Sequence, residues 1–158
     1  MGFLNTHVSG SHSRTIINQS GAPIYVVCPT DEPFTSISFR VVFDQCLKGV
    51  ANLAIGLTSR DHVHSSKNAC DNLWYDLRES VMLHLDGLNV SQGEFHFREG
   101  IEPRDCHIHS DDVLTLTMTK GFAVFLKVNG IEWGEFHVGP GRNYFCAELR
   151  WCKQTLCF

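Results

Sequence analysis

Apolar and polar residues alternate along most of this chain, in short runs that are separated by turn-forming residues. The clearest runs are residues 36–43 and 112–119, in which every second side chain is apolar over most of the run. Alternate side chains of a β-strand point to opposite faces of the sheet, so each run predicts a strand with one buried face. Weaker alternation predicts further strands over residues 23–28, 49–59, 143–151 and 155–158.

The dipeptide Asn129-Gly130 is the strongest local signal in the sequence. It separates the apolar run of residues 122–128 from a second run that begins at Ile131 and includes Trp133. A two-residue hairpin loop of type I′ needs positive φ at both central residues, which Asn and Gly adopt more readily than other residues. We therefore predict a tight β-hairpin whose two strands meet at this turn.

Residues 76–88 fit two kinds of element. Leu77, Val81 and Leu85 fall on one face of a helix, and the apolar residues of the same segment also alternate as in a strand. Propensity does not separate the two interpretations. Because the neighbouring elements are strands, we predict a turn at residues 78–80 flanked by two strands.

The arrangement of these segments predicts the class of fold. Many short strands, frequent turns and no regular alternation of strands with helices favour an all-β protein, an antiparallel two-sheet β-sandwich. The 158 residues, 43% of them hydrophobic, suffice for one hydrophobic core, and division into two domains would leave each half short of one. We predict a single domain over residues 1–158.

Charge and hydropathy argue against several classes of protein. Thirteen basic residues against seventeen acidic ones give a formal net charge of −4, whereas proteins that bind nucleic acid usually carry a basic surplus. No apolar run approaches the ~18 residues that a membrane-spanning helix needs, and the first residues lack the basic and apolar regions of a signal peptide. We therefore expect a cytoplasmic protein with no nucleic-acid partner and no membrane span.

The seven cysteines carry no recognisable metal or redox motif. They are scattered, and no two of them form a Cys-x-x-C pair, the spacing found in many zinc and redox sites. Thiols of a cytoplasmic protein stay reduced. We expect buried free thiols that pack as small hydrophobic side chains.

Residues 105–111 hold several potential metal ligands, but we expect no metal there. His107 and His109 would point the same way on an extended chain, yet no second pair of ligands at zinc-site spacing accompanies them. The sequence also lacks the Gly-x-Ser-x-Gly motif of a hydrolase. We predict no catalytic residues, no metal and no cofactor, and thus a protein that is not an enzyme.

Four segments together resemble the neuralized homology repeat, a relative of the SPRY-type, concanavalin-like sandwich, a jelly roll. Residues 3–20 are similar to the family's opening segment, with a polar strand that ends near residue 20, and residues 52–59 (Asn-Leu-Ala-Ile-Gly-Leu-Thr-Ser) resemble its Ile-Gly-Leu-Thr strand. Residues 73–77 (Leu-Trp-Tyr-Asp-Leu) resemble a stretch in the middle of the repeat. Residues 112–149 resemble its closing half, which a plain SPRY domain would match almost as well.

The resemblance implies a function as well as a fold. Such relatives are non-enzymatic protein-protein interaction modules that recognise a short peptide, as substrate-recognition or scaffold parts of ubiquitin-ligase-related proteins. The chain departs from the family at residues 110–112 and at Arg150-Trp151, which replaces a closing Tyr-Gly, and no RING-type array of cysteine and histidine follows. Any ligase activity would therefore reside in another domain or partner.

Two segments are longer than a sandwich needs to connect its strands, and we predict that they form one contact surface for a peptide. They are residues 60–72 and 97–111, and loops of this length in compact domains are often functional. Arginine and large aromatic residues are the usual anchors of such surfaces, although Trp133 could equally belong to the core. The candidate peptide-binding residues are Arg60, Asp61, His62, Tyr75, Arg98, Arg104 and Trp133.

A carbohydrate-binding β-sandwich of the lectin type is the alternative function. Residues 133–136 (Trp-Gly-Glu-Phe) resemble the segment with which galectins stack a sugar, but the His…Asn…Arg set that should precede it is missing. We therefore expect a protein or short peptide as the partner, and the sequence predicts no particular oligomeric state.

Overall fold

The structure, a computed structural model, confirms the predicted all-β, antiparallel two-sheet sandwich. It describes residues 4–9, 13–27, 35–44, 52–59 and 79–158. These ranges contain thirteen β-strands and one short 3₁₀ helix, Pro103–Asp105, and every strand pairing in them is antiparallel. No helix within these ranges is long and apolar enough to cross a membrane.

The strands vary in length from two residues to eight and are numbered in chain order. They are β1 (Leu4–Ser9), β2 (Ser13–Asn18), β3 (Ile24–Val27), β4 (Ser36–Val42), β5 (Ala54–Ser59), β6 (Ser80–His84), β7 (Asn89–Val90), β8 (Phe95–Phe97), β9 (Val113–Met118), β10 (Ala123–Val128), β11 (Ile131–His137), β12 (Arg142–Leu149) and β13 (Thr155–Cys157).

The strands form two sheets that pack face to face around one hydrophobic core. Eight strands make the larger sheet, in the order β1-β2-β13-β4-β9-β10-β11-β8, and five make the smaller one, in the order β3-β12-β5-β6-β7. Side chains from the inner faces of both sheets belong to a single buried cluster. The rings of Phe39 on β4 and Phe145 on β12 lie 5.3 Å apart across the core, and Phe158 packs against both.

The alternation that predicts β4 and β9 agrees with the observed burial. Phe39 and Val41 on β4, and Leu114 and Leu116 on β9, are at most 2% exposed, whereas the side chains between them are exposed or half-buried. The hairpin between β10 and β11 also has the predicted turn, because both of its central residues have positive φ, 52° and 82°.

The ambiguous segment is a strand, not a helix, in the part that the structure describes. Residues 80–84 form β6, which pairs with β5 and β7, and four of these five residues are buried. A strand that is buried on both faces is apolar at most positions, so its pattern also fits a helix. Glu79 lies in a turn, and residues 76–78 lie outside the described residues.

Alternation does not predict β1, β2, β7 or β8, and only the family resemblance implies a strand near residue 20, where β2 lies. β7 and β8 are too short for alternation to be visible. Beyond β7, side chains continue the pairing along β6. The Ser91 hydroxyl accepts a hydrogen bond from the Met82 N–H (3.0 Å), and the Gln92 amide donates one to the carbonyl of Ser80 (3.0 Å). These polar contacts cover part of an edge that could otherwise pair with another chain.

Two of the connections that cross from one sheet to the other meet at the buried amide of Asn18. Residues 19–23 link β2 to β3, and residues 150–154 link β12 to β13. Asn18 is 0% exposed, and its Nδ2 donates to the carbonyls of Ala22 (3.0 Å) in one connection and of Leu149 (2.9 Å) at the start of the other. Its Oδ1 accepts from the Ser20 N–H and hydroxyl, so the whole amide is satisfied.

Gln154 completes this junction from the second connection. It is 2% exposed, and its Oε1 accepts from the N–H groups of Arg150 (2.8 Å) and Trp151 (3.1 Å). The backbone of Asn18 donates to the Gln154 carbonyl (3.0 Å) and accepts from the Lys153 N–H (2.6 Å). The two connections are therefore held in one hydrogen-bonded unit.

These connections lie at one end of the sandwich, which we call the loop end. Because neighbouring strands are antiparallel, the carboxyl ends of β4, β6, β8 and β10 all lie at this end, together with the connections that follow them. The loop end comprises residues 19–23, 43–44, 52–53, 85–88, 98–112, 129–130 and 150–154.

We predict that Asn18→Ala lowers the free energy of unfolding by about 3 kcal/mol, because it leaves the buried Leu149 carbonyl without its side-chain donor and the Ala22 carbonyl with only the Ser20 hydroxyl. Asn18→Asp, which keeps the volume and presents oxygen where these carbonyls need a donor, should also be strongly destabilising. Chemical denaturation measures both changes.

The matched control is Asn89→Ala, since Asn89 is an exposed residue of the same type on β7. It should change stability by less than about 0.5 kcal/mol. Equal effects of Asn18→Ala and Asn89→Ala would contradict the role given to the buried amide.

Candidate functional site at the loop end

The loop of residues 98–112 runs from β8 to β9 across the loop end and is fixed at both of its ends. At its start, the Arg98 N–H donates to the carbonyl of Trp133 on β11 (2.9 Å). At its close, the Asp111 N–H donates to the carbonyl of Val41 (2.7 Å), and the Val41 N–H donates to the carbonyl of Asp112 (3.1 Å). The loop is thus tied to two different strands of the larger sheet.

The middle of the loop is anchored in the core and displays the side chains between its anchors. Cys106 (8% exposed) and Ile108 (5% exposed) belong to the main hydrophobic cluster. His107 and His109 alternate with them and are exposed, as is Arg104 in the 3₁₀ helix. This alternation holds polar side chains outward on a backbone that cannot move freely without exposing buried groups.

Asp112 and Asn129 connect the loop to the β10–β11 hairpin. The Asp112 carboxylate accepts from the His109 N–H (2.8 Å) and from the Asn129 side-chain amide (3.0 Å). The Asn129 Oδ1 accepts from the Val113 N–H (2.9 Å). Asn129 therefore adopts the positive φ of the turn and also attaches the loop to the hairpin. Only the first of these roles was evident from the sequence.

Three of the predicted peptide-binding residues lie on or beside this loop. The Arg98 side chain is 62% exposed and forms an ion pair with Glu132 (2.9 Å), and Arg104 is exposed. Trp133 is half-buried and packs against the core cluster, at a point where the pairing of β11 with β10 skips one residue. A Cβ on the next residue, Gly134, would collide with the backbone of β8, so the close strand contact beside Trp133 requires glycine.

The other predicted site residues, Arg60, Asp61, His62 and Tyr75, lie outside the described residues. The described residues that flank them, Ser59 at the end of β5 and Glu79 before β6, lie at the end of the sandwich opposite to the loop end. The site is therefore built here from residues 98–112 and their neighbours.

Exposed apolar side chains concentrate at the loop end. Four large hydrophobic side chains are exposed within the described residues, and three of them are here: Val113 (42%), Ile131 (59%) and Trp151 (48%). The fourth, Phe122 (42%), lies in a turn at the opposite end. Sequence reasoning missed all three, because alternation assigned each of them to a predicted strand. Alternation does not show at which residue the chain leaves the core and becomes exposed.

A cluster of four polar side chains forms the part of the loop end that belongs to the smaller sheet. Arg150 is its centre: Nε donates to the Glu148 carboxylate (2.9 Å), Nη1 donates to the Asn52 side-chain oxygen, and Nη2 lies 3.1 Å from Nδ1 of His84. The four residues come from the ends of β12 and β6 and from the residue pair before β5. We call this set the Arg150 cluster.

The Arg150 cluster requires a neutral His84. Arginine only donates hydrogen bonds, so Nδ1 of His84 must accept and the ring proton must be on Nε2. Burial, and then the neighbouring Arg150 guanidinium, lower the pKa of His84 below its ordinary value of 6.5, an effect that the Glu148 carboxylate opposes. Protonation of His84 would remove the acceptor and place a second cation beside Arg150.

The cysteines depart from the prediction at two of the four positions that the structure describes. No disulfide joins the four cysteines in the described residues, and Cys106 and Cys146 are buried as predicted. Burial raises the pKa of the Cys146 thiol to about 12, so this thiol is unreactive. Cys152 is exposed instead of buried and Cys157 is partly exposed, because Cys152 lies in the turn between β12 and β13. Cys28, Cys46 and Cys70 lie outside the described residues.

Metal-ligand geometry is absent from the described ranges, which contain no group of three or more His, Cys, Asp or Glu side chains that could hold a metal ion. His109 of the loop instead lies 3.9 Å from the Asp112 carboxylate through Nδ1.

The chain was compared with known proteins. No protein-family model matches it, and no curated protein matches it at a significant level. The resemblance to the neuralized homology repeat therefore remains a proposal.

The His84 pKa predicts how stability depends on pH. Below about pH 6.5 the unfolded chain binds a proton at His84 that the folded chain does not bind, so stability should fall as the pH decreases from 7 toward the folded pKa. In His84→Asn, whose side-chain oxygen can replace the Nδ1 acceptor without titrating, this component should vanish. Urea denaturation at a series of pH values measures the difference between the two proteins.

His137→Asn is the matched control, because His137 is exposed on β11 and no contact in the described residues requires its neutral form. It should keep the pH dependence of the unmodified chain. A His84→Asn variant with an unchanged pH profile would contradict the neutral-acceptor geometry.

Proposed function

We propose that this protein is a non-enzymatic interaction module that binds a short peptide at its loop end. The observation that carries the proposal is the concentration of exposed apolar side chains at this end, Val113, Ile131 and Trp151, beside a long loop with buried anchors. Exposed apolar groups on a fixed frame are typical of surfaces that a partner covers.

The proposed anchors are Arg104 and Trp151. Arg104 has no ion-pair partner within the described residues, so its guanidinium is available for a carbonyl or carboxylate of the partner. Arg98, in contrast, is already paired with Glu132. Trp151 is 48% exposed in a turn that Gln154 holds by two hydrogen bonds. A backbone that is held in place before binding loses little conformational entropy on binding.

The biological setting is part of the same proposal. The resemblance to neuralized homology repeats supports a substrate-recognition or scaffold role in a ubiquitin-ligase-related protein, with any ligase chemistry supplied elsewhere. The free, exposed thiol of Cys152 and the net charge of −4 support a cytoplasmic protein that does not bind nucleic acid.

The proposal predicts that the chain selects peptides from a random library and binds them through the loop end. The whole 158-residue chain would be used to pan a library of random peptides displayed on phage, and the selected peptides would be measured by calorimetry. Arg104→Ala and Trp151→Ala should each weaken binding about tenfold or more, since each removes one anchor of about 1.4 kcal/mol.

Phe122→Ala is the matched control, because Phe122 is also aromatic and similarly exposed but lies at the opposite end. It should change the dissociation constant by less than about twofold, the effect expected of a residue outside the interface. The proposal fails if no peptide is enriched, or if Phe122→Ala weakens binding while Arg104→Ala and Trp151→Ala do not.

A further inference from the structure

The Arg150 cluster contains a buried carboxylate oxygen that no other described residue satisfies. Glu148 is 9% exposed, and its Oε1 accepts from Nε of Arg150 (2.9 Å). Its Oε2 has no hydrogen-bond partner in the described residues and is itself buried. A buried carboxylate oxygen without a donor is costly, so this atom marks a place where a further donor is expected.

The same cluster offers hydrogen-bond donors that its internal contacts do not use. Each terminal nitrogen of Arg150 uses one N–H, toward Asn52 and toward His84, and retains another. In the described residues, the Asn52 amide nitrogen and Nε2 of His84 have no hydrogen-bond partner. The carboxylate of Glu148 balances the charge of Arg150, so the cluster with neutral His84 has no net charge. A complementary ligand must therefore accept several hydrogen bonds and donate at least one.

We propose that the Arg150 cluster binds the hydroxyl groups of a carbohydrate. A hydroxyl donates one hydrogen bond and accepts up to two, so two neighbouring hydroxyls can donate to Glu148 and accept from Arg150, Asn52 and His84. A phosphate or carboxylate ligand would place a second anion against the Glu148 carboxylate. An ammonium ligand could only donate, and would leave the free donors of the cluster unsatisfied.

The surroundings of the cluster fit a sugar ring. The Arg150 side chain is 27% exposed and that of Glu148 is 11% exposed, which places the cluster at the rim of the smaller sheet. Oε1 of Glu148 accepts one hydrogen bond, from Nε of Arg150, and keeps a further acceptor site that a ligand hydroxyl can use. Trp151 follows Arg150 directly and is 48% exposed, an aromatic surface for the apolar C–H face of a sugar.

This site goes beyond the proposed peptide function and does not depend on it. The two sites share Trp151, but Arg104 belongs only to the peptide surface, and Glu148, Arg150 and His84 belong only to the cluster. A chain that binds peptides but no sugar would refute only this inference, and the reverse result would refute only the peptide proposal.

A glycan array probed with the whole chain, followed by NMR titration with free glucose, galactose, mannose and N-acetylglucosamine, tests the inference. We expect at least one array glycan to bind, and the corresponding free sugar to shift the side-chain resonances of Arg150 and Trp151. Glu148→Gln keeps the size of the side chain, removes its charge and replaces one acceptor oxygen with an NH2 donor, and should weaken binding by about tenfold or more.

Glu132→Gln is the matched control, because it makes the same charge change at the ion pair with Arg98, and it should leave sugar affinity unchanged. Thermal melts of both variants would establish that they remain folded. If Glu148→Gln does not fold, Arg150→Lys, which keeps the charge and loses the planar fork, takes its place. Absence of any bound glycan, or equal affinities of the Glu148→Gln and Glu132→Gln variants, would overturn the inference.

Discussion

The buried amide of Asn18 is the contact on which the loop end depends. A two-sheet sandwich must pass its chain between sheets, and each passage takes backbone polar groups out of strand pairing, where they need other partners. Here one side chain donates to a carbonyl in each of two such passages, Ala22 and Leu149, and its own backbone joins it to residues 153–154. The position of Trp151, and through Arg150 that of the polar cluster, follows from this junction.

The loop end combines two chemically different surfaces on one frame. Over the larger sheet, residues 98–112 alternate core anchors such as Ile108 with exposed polar side chains. Over the smaller sheet, Arg150 contacts Glu148, His84 and Asn52 near the ends of strands that are buried on both faces. The outer face of that sheet carries a second buried cluster, formed by Tyr25, Ala54, Met82 and Cys146. Loops and strand ends thus provide the chemistry, and the two sheets provide the rigidity.

The sequence predicts the elements of this fold better than it predicts the site. Alternation identified β4 and β9 because one face of each is solvated, and positive φ at Asn129 and Gly130 follows from the residue types alone. It could not separate helix from strand at β6, because that strand is buried on both faces. The Arg150 cluster could not be predicted, because Asn52, His84 and Glu148 are far apart in sequence and meet only through strand register. Likewise, no local pattern marks Cys152 as exposed, since its exposure follows from the turn that Gln154 holds.

The central claim is that residues 98–112 form a fixed surface, and residue-resolved hydrogen exchange of the whole chain measures this directly. The N–H groups of Cys106, His109 and Asp111 donate to Pro103, Asp112 and Val41 respectively. If these contacts and the buried Cys106 and Ile108 hold the loop, the three amides should exchange at rates similar to those of β9, far below the rate of an unprotected chain. Exchange of all three at the unprotected rate, while β9 stays protected, would contradict the account.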